Sequence, residues 1–113
     1  MGVVRRQAPL RGEVWIVDLE PTIGREIQKV RPCVVVSPDP MNRFLRTCTV
    51  VPLTSGSRPA PFRVPAAFAG KAGFLLPEQM RTVDWGRLKS RAGEIEDKTL
   101  HALLRILREM FED

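Results

Sequence analysis

Residues 13–19 read Glu13-Val14-Trp15-Ile16-Val17-Asp18-Leu19, a β-branched and aromatic run behind Gly12, and they spell a β-strand. Outward from it, residues 20–30 break the pattern with Pro21, Gly24 and mixed charges, a loop too long for a tight turn. Residues 33–37 are an apolar strand closed by the turn signal Pro38-Asp39-Pro40, and residues 47–53 form another strand. A loop at Ser55-Gly56-Ser57-Arg58-Pro59 precedes a short strand at 62–64 and a buried strand at 73–76. Residues 79–85 continue as a short strand or turn. The tail changes period. Asp97 is placed to cap a helix, and Leu100, Leu103, Leu104, Leu107, Met110 and Phe111 recur at helical spacing. His101 lies beside that stripe, and Arg105 and Arg108 belong to its wetter side. Short strands followed by one terminal helix predict a mainly β protein, a small and strongly curved antiparallel barrel or half-barrel.

The 113 residues, 43% hydrophobic and 27% charged, suit one globular domain. Residues 1–10 are expected to be a flexible tail carrying Arg5 and Arg6, and residues 11–113 the domain. A net charge of +5 and a pI near 10.0 favour approach to polyanions: RNA, DNA or an acidic protein. No apolar run approaches the ~20 residues that span a bilayer, and residues 1–9 lack the apolar stretch of a signal peptide. The expected location is cytoplasmic, with reduced thiols. Cys33 and Cys48 each sit inside an apolar run and read as small buried hydrophobes. Two cysteines, one histidine and no CxxC leave no close-spaced zinc ligand set, so neither metal nor cofactor is expected.

Composition also restricts the chemistry. His101 is the single histidine and tyrosine is absent, which excludes a two-histidine ribonuclease and a phenolic acid. No carboxylate cluster of the two-metal kind is present. Phosphodiester cleavage would have to use Arg, Thr, Ser and one Glu. Arg31 stands directly before Pro32, which pushes it toward an extended conformation where a loop becomes rigid scaffold. A guanidinium anchored in this way matches phosphate oxygens, although a surface salt bridge explains it equally. Thr54, followed by Ser55, ends its strand at the expected rim, where it either faces a ligand or caps a turn. Trp15 reads as core, Trp85 as core or a base-stacking ring, and Phe44 after Asn42-Arg43 as a loop tip that stacks or does not.

Four motifs occur in order: Arg11-Gly12-Glu13-Val14-Trp15 with Asp18-Leu19-Glu20-Pro21-Thr22; then Gly24, Glu26 and Arg31-Pro32; then Asn42 and Pro52-Leu53-Thr54-Ser55; then Leu76-Pro77-Glu78-Gln79 with Arg81 and Asp84. In this order and spacing the chain resembles the MazF/PemK toxins over nearly its whole length. The resemblance implies an SH3-like barrel, a homodimer, and an endoribonuclease cutting single-stranded RNA, commonly mRNA, to a 2′,3′-cyclic phosphate and a 5′-hydroxyl. It also implies a MazE-like acidic antitoxin whose disordered tail fills the RNA groove. By the same analogy Arg31 and Thr54 are catalytic, Glu26 stands near them, and Gln79 and Arg81 line the groove with Ser55, Gln28 and Lys29. One departure is clear. The family loop reads Glu-Gln-x-Gly before x-Arg-Pro, whereas here it reads Glu26-Ile27-Gln28-Lys29-Val30, so the glutamine moves by one and Lys29 replaces the glycine. The gyrase-binding CcdB toxins share this fold, and a non-catalytic poison or RNA-binding barrel is the alternative. Those inhibitors have no need of Arg31 and Thr54.

The implied reaction needs no metal hydroxide, because the RNA 2′-OH is the nucleophile. The protein must position the phosphate, stabilise the added charge and manage two protons. Arg31 suits the phosphorane charge, and the Thr54 hydroxyl adds a hydrogen bond. Deprotonating a guanidinium at neutral pH costs roughly 7 kcal/mol. Glu26 is therefore the easier base, or else it only orients Arg31.

Overall fold

A computed structural model describes residues 7–27 and 29–113. Arg5, Arg6 and Gln28 lie outside the described residues. The strands are β1 (Glu13–Asp18), β2 (Val30–Val35), β3 (Thr47–Thr54), β4 (Val64–Phe68), β5 (Lys71–Leu75), β6 (Arg81–Asp84) and β7 (Leu88–Glu94). Helix α1 (Asp39–Leu45) sits between β2 and β3, and α2 (Asp97–Met110) ends the chain. The antiparallel sheet runs β4-β5-β3-β2-β1-β7, with β6 also on β3.

The curl originates at β3. Its first half pairs with β6, from Thr47↔Asp84 to Val50↔Arg81. Its last residues pair with β5, at Leu53↔Leu75 and Thr54↔Phe74. One strand thus serves two partners on the same edge, and the sheet bends between them into a half-barrel. Register shifts in the β1–β7 ladder, at Val14/Trp15 and Ile16/Val17, add further twist.

Both faces of this sheet are covered, which explains the uninterrupted apolar run in β2. Val34 joins Val14, Val51, Leu53, Leu75 and Leu103 on the face closed by α2. Cys33 and Val35 join Val17, Cys48, Val50 and Leu88 on the other. Leu103 is fully buried, with Leu100, Leu104 and Leu107 packed around it. Met110 and Phe111, in the expected stripe, lie past the sheet and stay exposed. His101, Arg105 and Arg108 face solvent.

Several local expectations need correction. Residues 39–45 are helical rather than a turn, because Pro40 falls in the first helical turn, where its missing N–H is harmless. This short helix shows no apolar period because its single buried residue is Asn42. The Asn42 Nδ2 donates to Pro9 O at 3.0 Å and Ser37 O at 3.1 Å, and its Oδ1 accepts from Ser37 Oγ. Pro9, which accepts from Asn42, is itself buried. The strand expected at 62–64 instead starts at Val64. Strand β7 was not foreseen: it buries only its first residue, Leu88, and so lacks alternation. Glu96 is the N-cap of α2 and makes no side-chain cap. Asp97 sits in the first turn, where its charge complements the helix dipole.

Candidate nucleic-acid interface and active site

The end of β3 separates two cavities. One, of about 280 Å³, is lined by Arg31 and Pro32 of β2, Thr54 and the following Ser55, Ile16 of β1, and Lys71 of β5. Arg31 is the second residue of β2, opposite Val17, and Thr54 closes β3, so antiparallel pairing brings residues far apart in sequence to one rim. Thr54 is 7% exposed, and its Oγ1 lies 2.6 Å from Ser57 Oγ. That contact fixes the hydroxyl against the loop that follows it. Arg31 and Lys71 are the charged residues on this lining, and among the described residues no carboxylate joins them. The cavity is thus electropositive and carries hydroxyl groups at its edge.

Backbone proximity here depends on Gly73. A Cβ at that position would stand 2.1 Å from Thr54 O and 3.1 Å from Ser55 Cα, both main-chain atoms. Only glycine lets β5 run this close behind the threonine.

The second cavity, of about 400 Å³, holds Glu26, Ile27, Pro52, Glu78, Gln79 and Arg81 on its lining. Its polar side chains are engaged in holding the 20–29 loop. Gln79 Oε1 accepts from Ile27 N at 3.3 Å, and its Nε2 donates to Arg25 O at 3.4 Å. Arg81 Nη1 donates to Leu19 O at 3.0 Å. Glu26 Oε1 accepts from Ile23 N at 2.6 Å, inside the loop itself. Lys29 is exposed, takes φ +70°, and its amide donates to Glu20 Oε1 at 2.9 Å. This left-handed conformation favours glycine, which explains physically why a glycine suits this position in similar loops.

The sequence-predicted residues therefore fall into two groups. Arg31, Thr54 and Ser55 share the first cavity, while Glu26, Gln79 and Arg81 share the second. Glu26, expected beside Arg31, lines the second cavity, and its carboxylate accepts from the Ile23 amide of its own loop. Lys71, Gly73 and the Arg63–Glu78 pair were missed. Arg63 Nη2 and Nε reach Glu78 Oε2 at 2.6 and 3.0 Å, and its Nη1 donates to Arg58 O at 2.8 Å. This pair straps the loop after Thr54 to the wall of the second cavity. Glycine inside a strand pattern was the available signal for Gly73; nothing local marked the others.

The aromatic candidates separate by environment. Trp15 Nε1 donates to Glu13 Oε1 at 3.0 Å, which fixes its ring. Trp85 is buried, with the Arg46 guanidinium 5.7 Å from its ring centroid. Phe44 is 85% exposed, on α1 rather than a loop tip. Both cysteines are free thiols. Burial pushes Cys33 up to about 12, with Cys48 adding to it, and pushes Cys48 up to about 11. Among the described residues, no group of three or more His, Cys, Asp or Glu is placed to hold a metal ion.

Known proteins share this fold. A relative named endoribonuclease PemK, from Escherichia coli, is 41% identical over 98 residues, spanning 81% of this chain and 71% of the relative. The crystal structure of MazF (Form-I) from Deinococcus radiodurans superposes with a TM-score of 0.83 at 25% identity, covering 93% of this chain and 97% of that one. A mycobacterial endoribonuclease solved in complex with its cognate antitoxin gives a TM-score of 0.76 at 25% identity, covering 90% and 93% of the two chains. The model of the PemK-like, MazF-like toxins matches residues 10–111. The chain belongs to the PemK-like, MazF-like toxin family of type II toxin–antitoxin systems.

Proposed function

We infer that this protein is the toxin of a toxin–antitoxin pair and an endoribonuclease that cuts single-stranded RNA through attack of the substrate's own 2′-OH. The observation that carries the reading is the meeting of Arg31 and Thr54, from two different strands, in one cavity whose described lining has no carboxylate. A phosphodiester there meets a guanidinium whose planar fork matches two of its oxygens. The Thr54 hydroxyl, held by Ser57, supplies a second donor aimed at charge that grows in the phosphorane. The developing negative charge is met by groups already in place, so little reorganisation accompanies the reaction.

The two cavities divide the labour. Chemistry belongs to Arg31 and Thr54, with Ser55 at the rim. The loop wall formed by Glu26, Gln79 and Arg81 receives the neighbouring nucleotides, and Lys29 and Gln28, the latter outside the described residues, are proposed as further RNA contacts on the resemblance. Glu26 acts through loop shape, since its carboxylate is engaged by the Ile23 amide and lines the second cavity rather than the first. Lys29 in place of a glycine gives this wall its own charge and hence its own RNA preference. Likeness to an endoribonuclease solved in complex with its cognate antitoxin supports an antitoxin as the regulating partner. The acidic character of that antitoxin, a homodimeric working unit and a cytoplasmic place of action are proposed on the resemblance to the MazF/PemK toxins.

The test is cleavage of a long single-stranded RNA in excess EDTA, with end-group analysis. Expected products carry 5′-hydroxyl and 2′,3′-cyclic phosphate ends, and a strand with 2′-deoxyribose at the cleaved position stays intact. Arg31→Ala and Thr54→Val should each lower kcat by about 10²–10³-fold while the protein stays folded. Full activity in either variant, or 5′-phosphate ends, refutes the assignment.

A further inference from the structure

We propose that Lys71 forms a second phosphate subsite, holding the phosphate next to the scissile one and setting RNA affinity without taking part in bond cleavage. This rests on the nuclease reading above. The juxtaposition is specific. Lys71 is the first residue of β5 and lines the same cavity as Arg31 and Thr54, although 40 residues separate it from the former. It is exposed, and among the described residues no carboxylate pairs with it. Two neighbouring guanidinium groups are engaged: Arg63 holds Glu78, and Arg81 donates to Leu19 O.

The backbone holds Lys71 over the cavity. It follows directly on the turn made by Ala69 (φ +53°) and Gly70 (φ +77°). Just before that turn the Phe68 ring packs on β7, where a Cβ at Gly93 would stand 3.3 Å from it. This contact pins the hairpin tip across the sheet, so the stem of Lys71 starts from a fixed point. The same lining carries the apolar Ile16, Leu53, Phe68 and Ala72, a surface suited to the flat face of a base. A nucleotide spanning this floor would place one phosphate at Arg31 and the adjoining one at Lys71.

The chemistry of the side chain sets its role. A lysine ammonium is a compact, strongly hydrated point charge on a flexible stem. An exposed one meets the same backbone phosphate in the bound substrate and in the transition state. Such a contact is uniform binding, which appears in KM and leaves kcat alone. Its loss also removes one released counterion, which flattens the salt dependence of binding by about 0.7 per phosphate for a single strand.

The experiment compares wild type, Lys71→Ala and Lys71→Arg in two assays. One is cleavage of a short single-stranded RNA across a salt series. The other is equilibrium binding of the same strand made uncleavable by 2′-deoxyribose at the scissile position. Lys71→Ala should raise KM and the dissociation constant about tenfold at low salt, keep kcat within about twofold, and flatten the salt slope by about 0.7. Lys71→Arg should restore most of the affinity, and both variants should melt with wild type. An unchanged dissociation constant and slope in Lys71→Ala overturns the proposal, and so does a fall in kcat at constant KM. Binding of the uncleavable strand scores Lys71 even where cleavage fails, so loss of the nuclease reading and loss of this subsite give different results. A wild type that binds no RNA overturns both.

Discussion

Gly73→Ala probes the fold and the site with one methyl group. The added Cβ would lie 2.1 Å from Thr54 O and 2.9 Å from Thr54 C. An ordinary carbon–oxygen approach is about 3.3 Å, so β5 must move away from β3 by about 1 Å. Neither contact is a flexible side-chain end that swings aside. The displacement strains the pairs Leu53↔Leu75 and Thr54↔Phe74 and the bond from Leu76 N to Pro52 O, 3.0 Å long. Overpacking of this kind costs about 1–3 kcal/mol, and one weakened ladder bond adds about 1 kcal/mol, giving about 2–4 kcal/mol together. With a melting entropy of about 0.24 kcal/mol/K for a chain of this size, Tm falls by about 8–17 °C. Because the atom struck belongs to Thr54, the hydroxyl moves with it, and a shift of about 1 Å at a reacting centre costs about 10² in rate. Gly56→Ala is the control in the adjoining loop. A Cβ there meets nothing within 4 Å, and its φ lies outside the left-handed region. Its Tm and cleavage rate should match wild type within about 2 °C and twofold. The assays are calorimetric melting and single-turnover RNA cleavage. A Gly73→Ala protein that melts and cleaves like wild type refutes the reasoning.

Two further outcomes follow from buried and paired groups. Burial opposes ionisation of Glu13, but the Leu10 amide, the Arg91 guanidinium and the Trp15 indole N–H outweigh it, so its carboxyl lies below the ordinary glutamate value of 4.5. The unfolded chain therefore binds the proton more tightly, and this contribution is present above pH 4.5 and lost as pH falls through the lower folded value. Glu13→Gln should cost about 1–2 kcal/mol at pH 7, reduced by the exposure of Arg91. The gap to wild type should close as the pH is lowered below 4.5; a gap constant with pH in thermal melts contradicts it. The cysteines should resist alkylation at pH 8, since thiols at about 12 and about 11 are about 10⁻³ or less ionised there. Labelling of the native protein within minutes, as fast as in denaturant, would show that the pockets open.

Legibility in the sequence followed the range of the signal. The runs 13–19, 33–37 and 47–53 announce strands because burial on one or both sheet faces leaves its record in neighbouring residues. The Leu100-to-Leu107 stripe announces α2 for the same reason at a different period. Helix α1 left no such record, since a single buried amide, Asn42, anchors it. Strand β7 left none either, because an edge strand with polar residues is stabilised by its ladder to β1 rather than by burial. In the site, Arg31 and Thr54 were legible from the rigid strand ends that carry them. That Glu26 lines the second cavity was not, because where a loop carboxylate settles depends on its hydrogen bond to Ile23 N.

What the chain determines by itself is the alphabet of elements, the surplus of positive charge, and the exclusion of two-histidine and cysteine–histidine metal chemistry. Those follow from composition and from periodicities a few residues long. The tertiary structure alone decided that β3 splits its edge between β6 and β5, that Gly73 lies against Thr54, and that Lys71 joins Arg31 over a carboxylate-free lining. These are meetings of residues 19 to 40 positions apart. Their free energy comes from packing both sheet faces simultaneously, a condition that no single stretch of sequence contains.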